Sequence, residues 1–194
     1  MNYTVIYADP PWPYNDQMKG HPMSLDHEYP TQSIEWIASL PVSKLAARDS
    51  VLLLWVTSPH MPNGLQVMES WGFKYKTVGF CWVKIKQDGK SICTTLGRWT
   101  RGSIELCLLG VKGAPNKMRI NKSIRQVVLA KRRGHSKKPT EIRKRIVDLF
   151  GDQKRIELFS RERVDGWDCF GNEGCENVVL KGGIWQNTET GETS

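Results

Sequence analysis

The fold is decided where Tyr3-Thr4-Val5-Ile6-Tyr7-Ala8 is followed directly by Asp9-Pro10-Pro11-Trp12. The first six residues have the apolar character of a buried strand. The two prolines end that strand, because proline cannot donate a hydrogen bond to a sheet ladder. In open α/β sheets, ligands bind beyond the carboxyl ends of the strands. The junction therefore predicts a strand that delivers Asp9 to a functional crevice.

Further strands and helices alternate along the chain. Strands are predicted at residues 50–57, 76–85, 104–111 and 155–159, and helices at 33–47 (broken by Pro41), before Trp71 and from Pro139 to Phe150. Residues 50–57 are continuously apolar, as expected of a parallel strand covered on both faces. The alternation predicts an α/β fold, with a mostly parallel sheet and helices on both faces, as one domain over residues 1–173. The polar, Gly-rich residues 174–194 are predicted to form a loose C-terminal tail.

Composition and charge restrict the class of protein. The 194 residues carry a net charge of +8, which favours a nucleic acid as partner, although many basic enzymes bind none. No signal-peptide pattern precedes the first strand, and the longest apolar run, residues 51–56, is too short to span a bilayer. The five cysteines include no C-x-x-C, and the histidines are scattered. We therefore expect a cytoplasmic protein with reduced thiols, no metal site and no membrane partner.

The Asp9 to Trp12 turn carries groups suited to holding a planar amine. The Asp9 carboxylate and the Pro10 carbonyl, which the missing N–H of Pro11 leaves unrestrained, can each accept one amine hydrogen. The fixed φ of the prolines holds these acceptors in place. Trp12 offers a face for a base, and such stacking contributes about 1–3 kcal/mol. The alternative is a rigid strand-ending turn with Trp12 in the core, which the motif and its strand context make the weaker interpretation.

Several short motifs follow one another in a fixed order. They are Ala8-Asp9-Pro10-Pro11-Trp12, Tyr29-Pro30-Thr31, Leu54-Trp55-Val56-Thr57, Trp82-Val83-Lys84, Arg101-Gly102 with Glu105, Leu109-Gly110-Val111-Lys112-Gly113, Lys138-Pro139, Ile156-Glu157-Leu158-Phe159 with Arg161, and Gly166-Trp167 with Gly171-Asn172-Glu173. With this order and spacing, the chain resembles the MT-A70 family of adenine-N6 methyltransferases from about Tyr3 to Glu173. The resemblance implies a Rossmann-like fold with the permuted, beta-class motif order, in which the catalytic motif precedes the main cofactor strand. It also implies S-adenosyl-L-methionine as the cofactor, direct methyl transfer to the exocyclic amine of adenine, and Asp9, Pro10, Pro11 and Trp12 as catalytic residues.

The resemblance assigns several residues to binding of the methyl donor, and Asp9 is one of them. Lys138 would contact the donor carboxylate. Without the resemblance it is more simply a solvated loop lysine. A cation at the start of the predicted helix is unfavourable against the helix dipole unless an anion binds there. Arg161 and Asn172 would lie against the ribose and amino-acid part of the donor.

Two further donor assignments depart from the family pattern. Arg163 belongs to the donor set by resemblance, but the segment between Arg161 and Trp167 is shorter than in the eukaryotic members. Glu173 would grip the ribose, although it stands where those members have an amide. Asn172 itself, between a glycine and Glu173, can otherwise be a turn residue.

Other residues are predicted to contact the substrate. Tyr29 matches a loop position beside the target base, with a packing tyrosine as the alternative, and Glu105 would orient the base or only pair with Arg98 or Arg101. The segment Arg98-Trp99-Thr100-Arg101 mixes cations with an aromatic ring, as grooves for single strands or flipped bases do. A denser basic run contains Lys131, Arg132 and Arg133. Because both runs flank the predicted pocket, we expect phosphate contacts and not only a solvated charged face. Trp55 and Trp82 lie inside apolar strands and are predicted to be core residues.

Three alternatives to a DNA adenine methyltransferase are open at this point. The compact chain resembles small bacterial and phage members, which favours DNA over RNA as the substrate. A catalytically silent nucleic-acid-binding subunit is disfavoured by the intact Asp9-Pro10-Pro11-Trp12 motif. Methylation of a protein amide uses a related Pro-Pro turn, but the aspartate at its first position and the basic charge favour a base. The sequence also leaves a homodimer open.

Overall fold

A computed structural model describes residues 1–13, 31–96, 99–132, 137–171 and 176–194. Its strands are β1 (Tyr3–Ala8), β2 (Ala46–Val56), β3 (Lys74–Ile85), β4 (Ile104–Lys112), β5 (Val127–Lys131), β6 (Arg155–Ser160), β7 (Asp168–Gly171), β8 (Val178–Lys181) and β9 (Ile184–Asn187). Its helices are α1 (Ile34–Ser39), α2 (Val42–Leu45), α3 (Met61–Ser70) and α4 (Glu141–Phe150).

The first seven strands form one sheet in the order β5-β3-β4-β2-β1-β6-β7. Strand β4 runs antiparallel to its neighbours β2 and β3, while the remaining pairs in the sheet are parallel. The prediction of a mostly parallel sheet is therefore confirmed. It follows that the carboxyl ends of six strands meet the amino end of β4 at one edge of the sheet, which we call the carboxyl edge.

Apolar side chains cover both faces of this sheet. On one face, α1, α2 and α3 pack through residues such as Ile37, Leu45 and Trp71. On the other, α4 packs through Ile142 and Ile146. Helices on both faces were predicted, and this is confirmed. Within the described ranges, no helix combines the length and the apolar character needed to cross a lipid bilayer.

Local sequence signals set the ends of several elements. Gly72 and Gly151 end α3 and α4 with φ of +82° and +77°, a backbone conformation that favours glycine. Pro41 separates α1 from α2, as predicted. The helix was also expected to reach Ala47, and this is wrong. Ala46 already pairs with Tyr3 of β1, so the sheet captures the segment earlier.

The end of the chain differs most from expectation. Strands β8 and β9 form a hairpin whose two-residue loop, Gly182-Gly183, has positive φ at both positions, the preferred geometry for such loops. Trp185 is 0% exposed, and its indole N–H donates to the Pro41 carbonyl oxygen at 2.9 Å. Val178 is buried in the same core layer. The loose tail predicted for residues 174–194 is therefore wrong for this hairpin, because two apolar anchors suffice to dock it.

The cysteines that the structure describes are free thiols, as expected: Cys81, Cys93, Cys107 and Cys169. Cys175 lies outside the described residues. Over the described ranges, no group of three or more His, Cys, Asp or Glu side chains could hold a metal ion.

Candidate active site

Three side chains that are far apart in sequence meet at the carboxyl edge. Asp9 follows β1, Glu105 is the second residue of antiparallel β4, and Lys138 precedes α4. The Lys138 ammonium nitrogen lies 2.7 Å from each Asp9 carboxylate oxygen and 3.2 Å from Glu105 Oε2. The side chains of Lys138 and Glu105 are 10% exposed and that of Asp9 is 24% exposed. The cation before the helix thus has its anions within the protein.

The cluster changes the acidity of its members. Burial raises the pKa of the Asp9 carboxyl above its ordinary value, and the Lys138 ammonium opposes that rise. Burial also acts against the charged form of Lys138, but Asp9 and Glu105 outweigh it and raise the pKa of the ammonium. For Glu105, burial is outweighed by Lys138 and Lys84, which lower the pKa of this carboxyl. Lys138 therefore favours the ionised form of both acids.

Sequence reasoning missed a fourth member, Lys84. Its ammonium lies 2.5 Å from Glu105 Oε1, so charges alternate from Lys84 through Glu105 and Lys138 to Asp9. Glu105 was predicted either to orient the base or only to pair with Arg98 or Arg101, of which Arg98 lies outside the described residues. Its partners are instead the two lysines, because β3 lies beside β4 with Trp82 opposite Glu105. This register places Lys84, two residues further along β3, next to the glutamate.

Two tryptophan rings lie beneath the lysines. Trp55 and Trp82 are buried, as predicted. The Lys138 ammonium is 5.5 Å from the Trp55 ring centroid, and that of Lys84 is 5.2 Å from the Trp82 ring centroid. At such distances a ring attracts the cation above it. The Trp55 indole donates to the Tyr7 hydroxyl at 2.7 Å, which fixes the ring in the core.

The Asp-Pro-Pro-Trp turn is tighter than the sequence indicated. The Trp12 N–H donates to the Pro10 carbonyl oxygen at 2.9 Å, so this carbonyl is restrained after all. The prediction that it has no N–H partner is wrong, because the turn around Pro11 brings the next available donor back. A carbonyl oxygen has two lone pairs, so one acceptor site remains. The Pro11 carbonyl accepts from the Gln32 N–H at 2.9 Å, which ties the turn to the segment before α1.

The Trp12 ring is held from two sides. Its indole N–H donates to the Trp55 carbonyl oxygen at 2.9 Å, and the ring stacks on His60 with centroids 5.7 Å apart and planes at 16°. His60 is buried, and its Nδ1 lies 3.3 Å from Asn63 Oδ1. Sequence reasoning did not identify His60, since a histidine after a proline at the start of a helix carries no recognisable signal.

The remaining predicted residues are distributed differently. Arg161 follows β6, and its charge lowers the pKa of Asp9, which associates it with the cluster. Arg163 instead pairs with Glu189 and lines a cleft with residues 152–155 at the opposite edge of the sheet. Its contacts give no support to a role at the donor site.

Arg101, Lys131 and Arg132 are exposed, with Lys131 ending β5 at the carboxyl edge. Five predicted site residues lie outside the described residues: Tyr29, Arg98, Arg133, Asn172 and Glu173.

Fold and site together define a class of protein. A largely parallel α/β sheet that presents an Asp-Pro-Pro-Trp turn and a charged cluster at its carboxyl edge is consistent with a Rossmann-like methyltransferase. The MT-A70 family model matches residues 3–173, which include the whole cluster. The chain belongs to the MT-A70 family.

Individual relatives extend this assignment. The chain is 34% identical to the Type II methyltransferase M.MunI of Mycoplasma sp., over 91% of this chain and 80% of that protein. It is 31% identical to the N(6)-adenosine-methyltransferase MT-A70-like protein of Arabidopsis thaliana, over 88% of this chain and 24% of that protein. It is likewise 31% identical to the human N(6)-adenosine-methyltransferase catalytic subunit METTL3, over 88% of this chain and 28% of that protein. The chain therefore spans about a quarter of the length of the eukaryotic relatives and most of the bacterial one.

The cluster fits the methyl donor of this family, S-adenosyl-L-methionine. That donor carries a sulfonium, an ammonium and a carboxylate. Lys138 and Arg161 would supply cations for the carboxylate, and Asp9 would supply an anion for the positive groups. An alternating set of buried charges can therefore receive a ligand that itself carries both signs.

Proposed function

We propose that the chain methylates the exocyclic N6 amine of adenine in DNA. The observation that carries this proposal is the Asp9 carboxylate, fixed beyond β1 and held by Lys138 at 2.7 Å beside the Pro10 carbonyl. Two acceptors in a rigid turn suit an amine that has two hydrogens. The names of the Arabidopsis and human relatives, both N(6)-adenosine methyltransferases, support adenine N6 as the target.

Asp9 is the acceptor for the reacting amine. The exocyclic amine of adenine is a poor nucleophile, because its lone pair is delocalised into the ring. Hydrogen bonds from its two N–H groups to Asp9 and Pro10 favour a pyramidal nitrogen with a localised lone pair. When bound, the donor supplies a methyl group on a sulfonium, whose carbon–sulfur bond breaks as the nitrogen–carbon bond forms. The amine proton then passes to the ionised Asp9 carboxylate, which Lys138 keeps available.

The other residues of the site orient the reaction. Trp12 lies in the same turn as Asp9, with its ring fixed by His60 and by the Trp55 carbonyl, so it can present a stable surface to a base. An adenine held in this way needs no general base other than Asp9. Alignment of the reacting atoms supplies the remaining acceleration. An adenine inside a duplex must first leave the base stack to reach such a site.

We favour DNA over RNA as the substrate because this chain covers different shares of its relatives' lengths. The relative named a type II methyltransferase is matched over 80% of its length, and the adenosine methyltransferases over about a quarter. The same reaction on RNA is the second candidate, supported by the 31% identity to those enzymes. The exposed cations Arg101, Lys131 and Arg132 support contact with the phosphates of either polymer.

Transfer of a labelled methyl group to matched DNA and RNA oligonucleotides tests the proposal. The two oligonucleotides carry the same adenine-containing sequence, with adenine-free versions as controls. We expect N6-methyladenine in the DNA and none in the adenine-free controls. Methylation of the RNA alone would establish the second candidate, and methylation of neither would refute both.

A further inference from the structure

One part of the cluster has no role in the mechanism above, namely the pair formed by Lys84 and Glu105. Lys84 is the penultimate residue of β3, and Glu105 is the second residue of the neighbouring antiparallel strand β4. Their 2.5 Å contact is largely protected from solvent, with side chains 16% and 10% exposed. A buried ion pair is costly unless its charges are well compensated. Here Glu105 has Lys84 at Oε1 and Lys138 at Oε2.

We propose that Lys84 is a positioning residue that neutralises Glu105 and so commits Lys138 to Asp9. This inference rests on the proposed function, in which the ionised Asp9 accepts the amine proton. Lys84 itself touches neither Asp9 nor the reacting atoms. It acts through Glu105 and Lys138, by setting how strongly the glutamate competes for the Lys138 ammonium.

The distances support such a competition. Lys138 lies 2.7 Å from both Asp9 oxygens but 3.2 Å from Glu105, so the aspartate holds it more closely. An ammonium has three N–H donors, and these three carboxylate oxygens surround it. With Lys84 removed, Glu105 would depend on Lys138 alone and draw it away from Asp9. With both Lys84 and Glu105 replaced by neutral residues, the Lys138 ammonium would pair with Asp9 alone.

The aromatic rings make the arrangement specific to the two lysines. Trp82 supports Lys84 and Trp55 supports Lys138, at 5.2 and 5.5 Å from their ring centroids. Each cation therefore has its own ring beneath it, so one lysine cannot simply take the place of the other.

Other groups also influence Asp9 and have to stay constant in any test. They are Tyr7 of β1, Cys107 of β4, Glu157 of β6 and Arg161 after β6. Substitutions at positions 84 and 105 leave all four unchanged. A change in the Asp9 titration then reports on the two lysines and Glu105.

The test is to monitor the titration of the Asp9 carboxyl carbon by ¹³C NMR. The sample is the whole chain without donor or nucleic acid. The variants are Lys84→Met, Glu105→Gln and their combination, with Lys86→Met as a control that removes one exposed lysine near the same edge. Lys84→Met should shift the Asp9 titration to higher pH, because the cation is shared, whereas Glu105→Gln should shift it to lower pH. The double variant should reverse the shift of Lys84→Met, and the control should match the wild type.

A merely structural Lys84 would behave differently. It would give an Asp9 titration unchanged by Lys84→Met, or a shift that Glu105→Gln does not reverse, and either result would overturn the proposal. If Lys84→Met does not fold, Glu105→Gln and Lys84→Arg still decide. Glu105→Gln must shift the Asp9 titration to lower pH, and Lys84→Arg must leave it at the wild-type pH. Methylation of adenine by the wild type is measured separately, so a failure of the proposed function is distinguishable from a failure of this inference.

Discussion

The Lys138 ammonium lies 2.7 Å from both carboxylate oxygens of Asp9, although 129 residues separate the two in sequence. The contact joins the end of the first strand to the start of α4. The Glu105 carboxylate lies 3.2 Å from the same ammonium. Because the pair is largely buried, bulk solvent screens it little. The ionisation of Asp9 therefore depends on Lys138, and the proposed chemistry depends on that ionisation.

Replacing Asp9 with asparagine should nearly abolish methyl transfer. The amide keeps the size of the side chain but loses the negative charge and one acceptor, so it can neither grip the amine equally nor take its proton. Loss of such a proton acceptor lowers rates by about 10²- to 10⁴-fold. Single-turnover transfer to an adenine-containing oligonucleotide measures the loss, with the exposed Asp88→Asn as a matched control. An Asp9→Asn variant that retains full activity would refute the proposed mechanism.

Replacing Lys138 with methionine should move the acid limb of the pH–rate profile to higher pH. Lys138 lowers the pKa of Asp9, so its removal lets burial raise that pKa further. The protonated aspartic acid cannot accept the amine proton, so activity is lost at a higher pH than in the wild type. The adjacent, exposed Lys137→Met is the control. A weaker donor affinity combined with an unmoved acid limb would mean that Lys138 serves the donor alone.

Replacing Trp12 tests how the turn is held. Trp12→Phe keeps an aromatic ring over His60 but leaves the Trp55 carbonyl without its donor, which costs about 1–3 kcal/mol where the group is buried. We expect activity to fall about tenfold, and further in Trp12→Ala, which loses both contacts.

Substitutions of His60 provide the control for this test. His60→Phe should remain active, because it preserves a ring against Trp12, whereas His60→Ala should lose activity. Transfer rates at saturating substrate and thermal unfolding are measured together. Equal activity in Trp12→Phe and Trp12→Ala would contradict a role for the ring contact with His60, and wild-type activity in Trp12→Phe would contradict a role for the hydrogen bond to the Trp55 carbonyl.

The sequence predicted individual elements better than it predicted contacts between them. Strand β1 has the predicted bounds of residues 3–8, and α4 ends at Phe150, as predicted. Asp9, Glu105 and Lys138 were all identified as site residues, but their mutual pairing was not. That pairing depends on β4 running antiparallel beside β3, which hydrophobic patterns do not reveal. Lys84 was missed for the same reason, since its role arises from its register with Glu105.

The C-terminal hairpin was missed for a different reason. Its strands are four residues each, and their apolar runs, residues 178–180 and 184–185, are shorter than those by which the other strands were found. The Gly182-Gly183 loop was nevertheless a readable hairpin signal. What composition could not indicate is that Val178 and Trp185 are both fully buried in the core of the sheet.

Replacing Trp185 with alanine should therefore destabilise the whole fold. Removing a buried tryptophan costs about 3–5 kcal/mol, and this variant also leaves the Pro41 carbonyl without its donor. Urea unfolding measures the change, and the half-exposed neighbour Ile184→Ala should change stability by about 0.5 kcal/mol or less. Equal stability of both variants would restore the interpretation of a loose tail.

Removing the basic side chains of Lys131 and Arg132 should weaken DNA binding most at low salt. Each phosphate contact releases a counterion, so losing two contacts should reduce the slope of log K against log salt by about 1.8. The control is Lys44→Ala with Lys181→Ala, two exposed lysines on α2 and β8, which gives the same net charge. The comparison separates a phosphate-binding surface from general attraction by a basic protein. If both double variants lower the slope equally, the cations at the carboxyl edge act only through net charge, and their position at that edge has no part in binding.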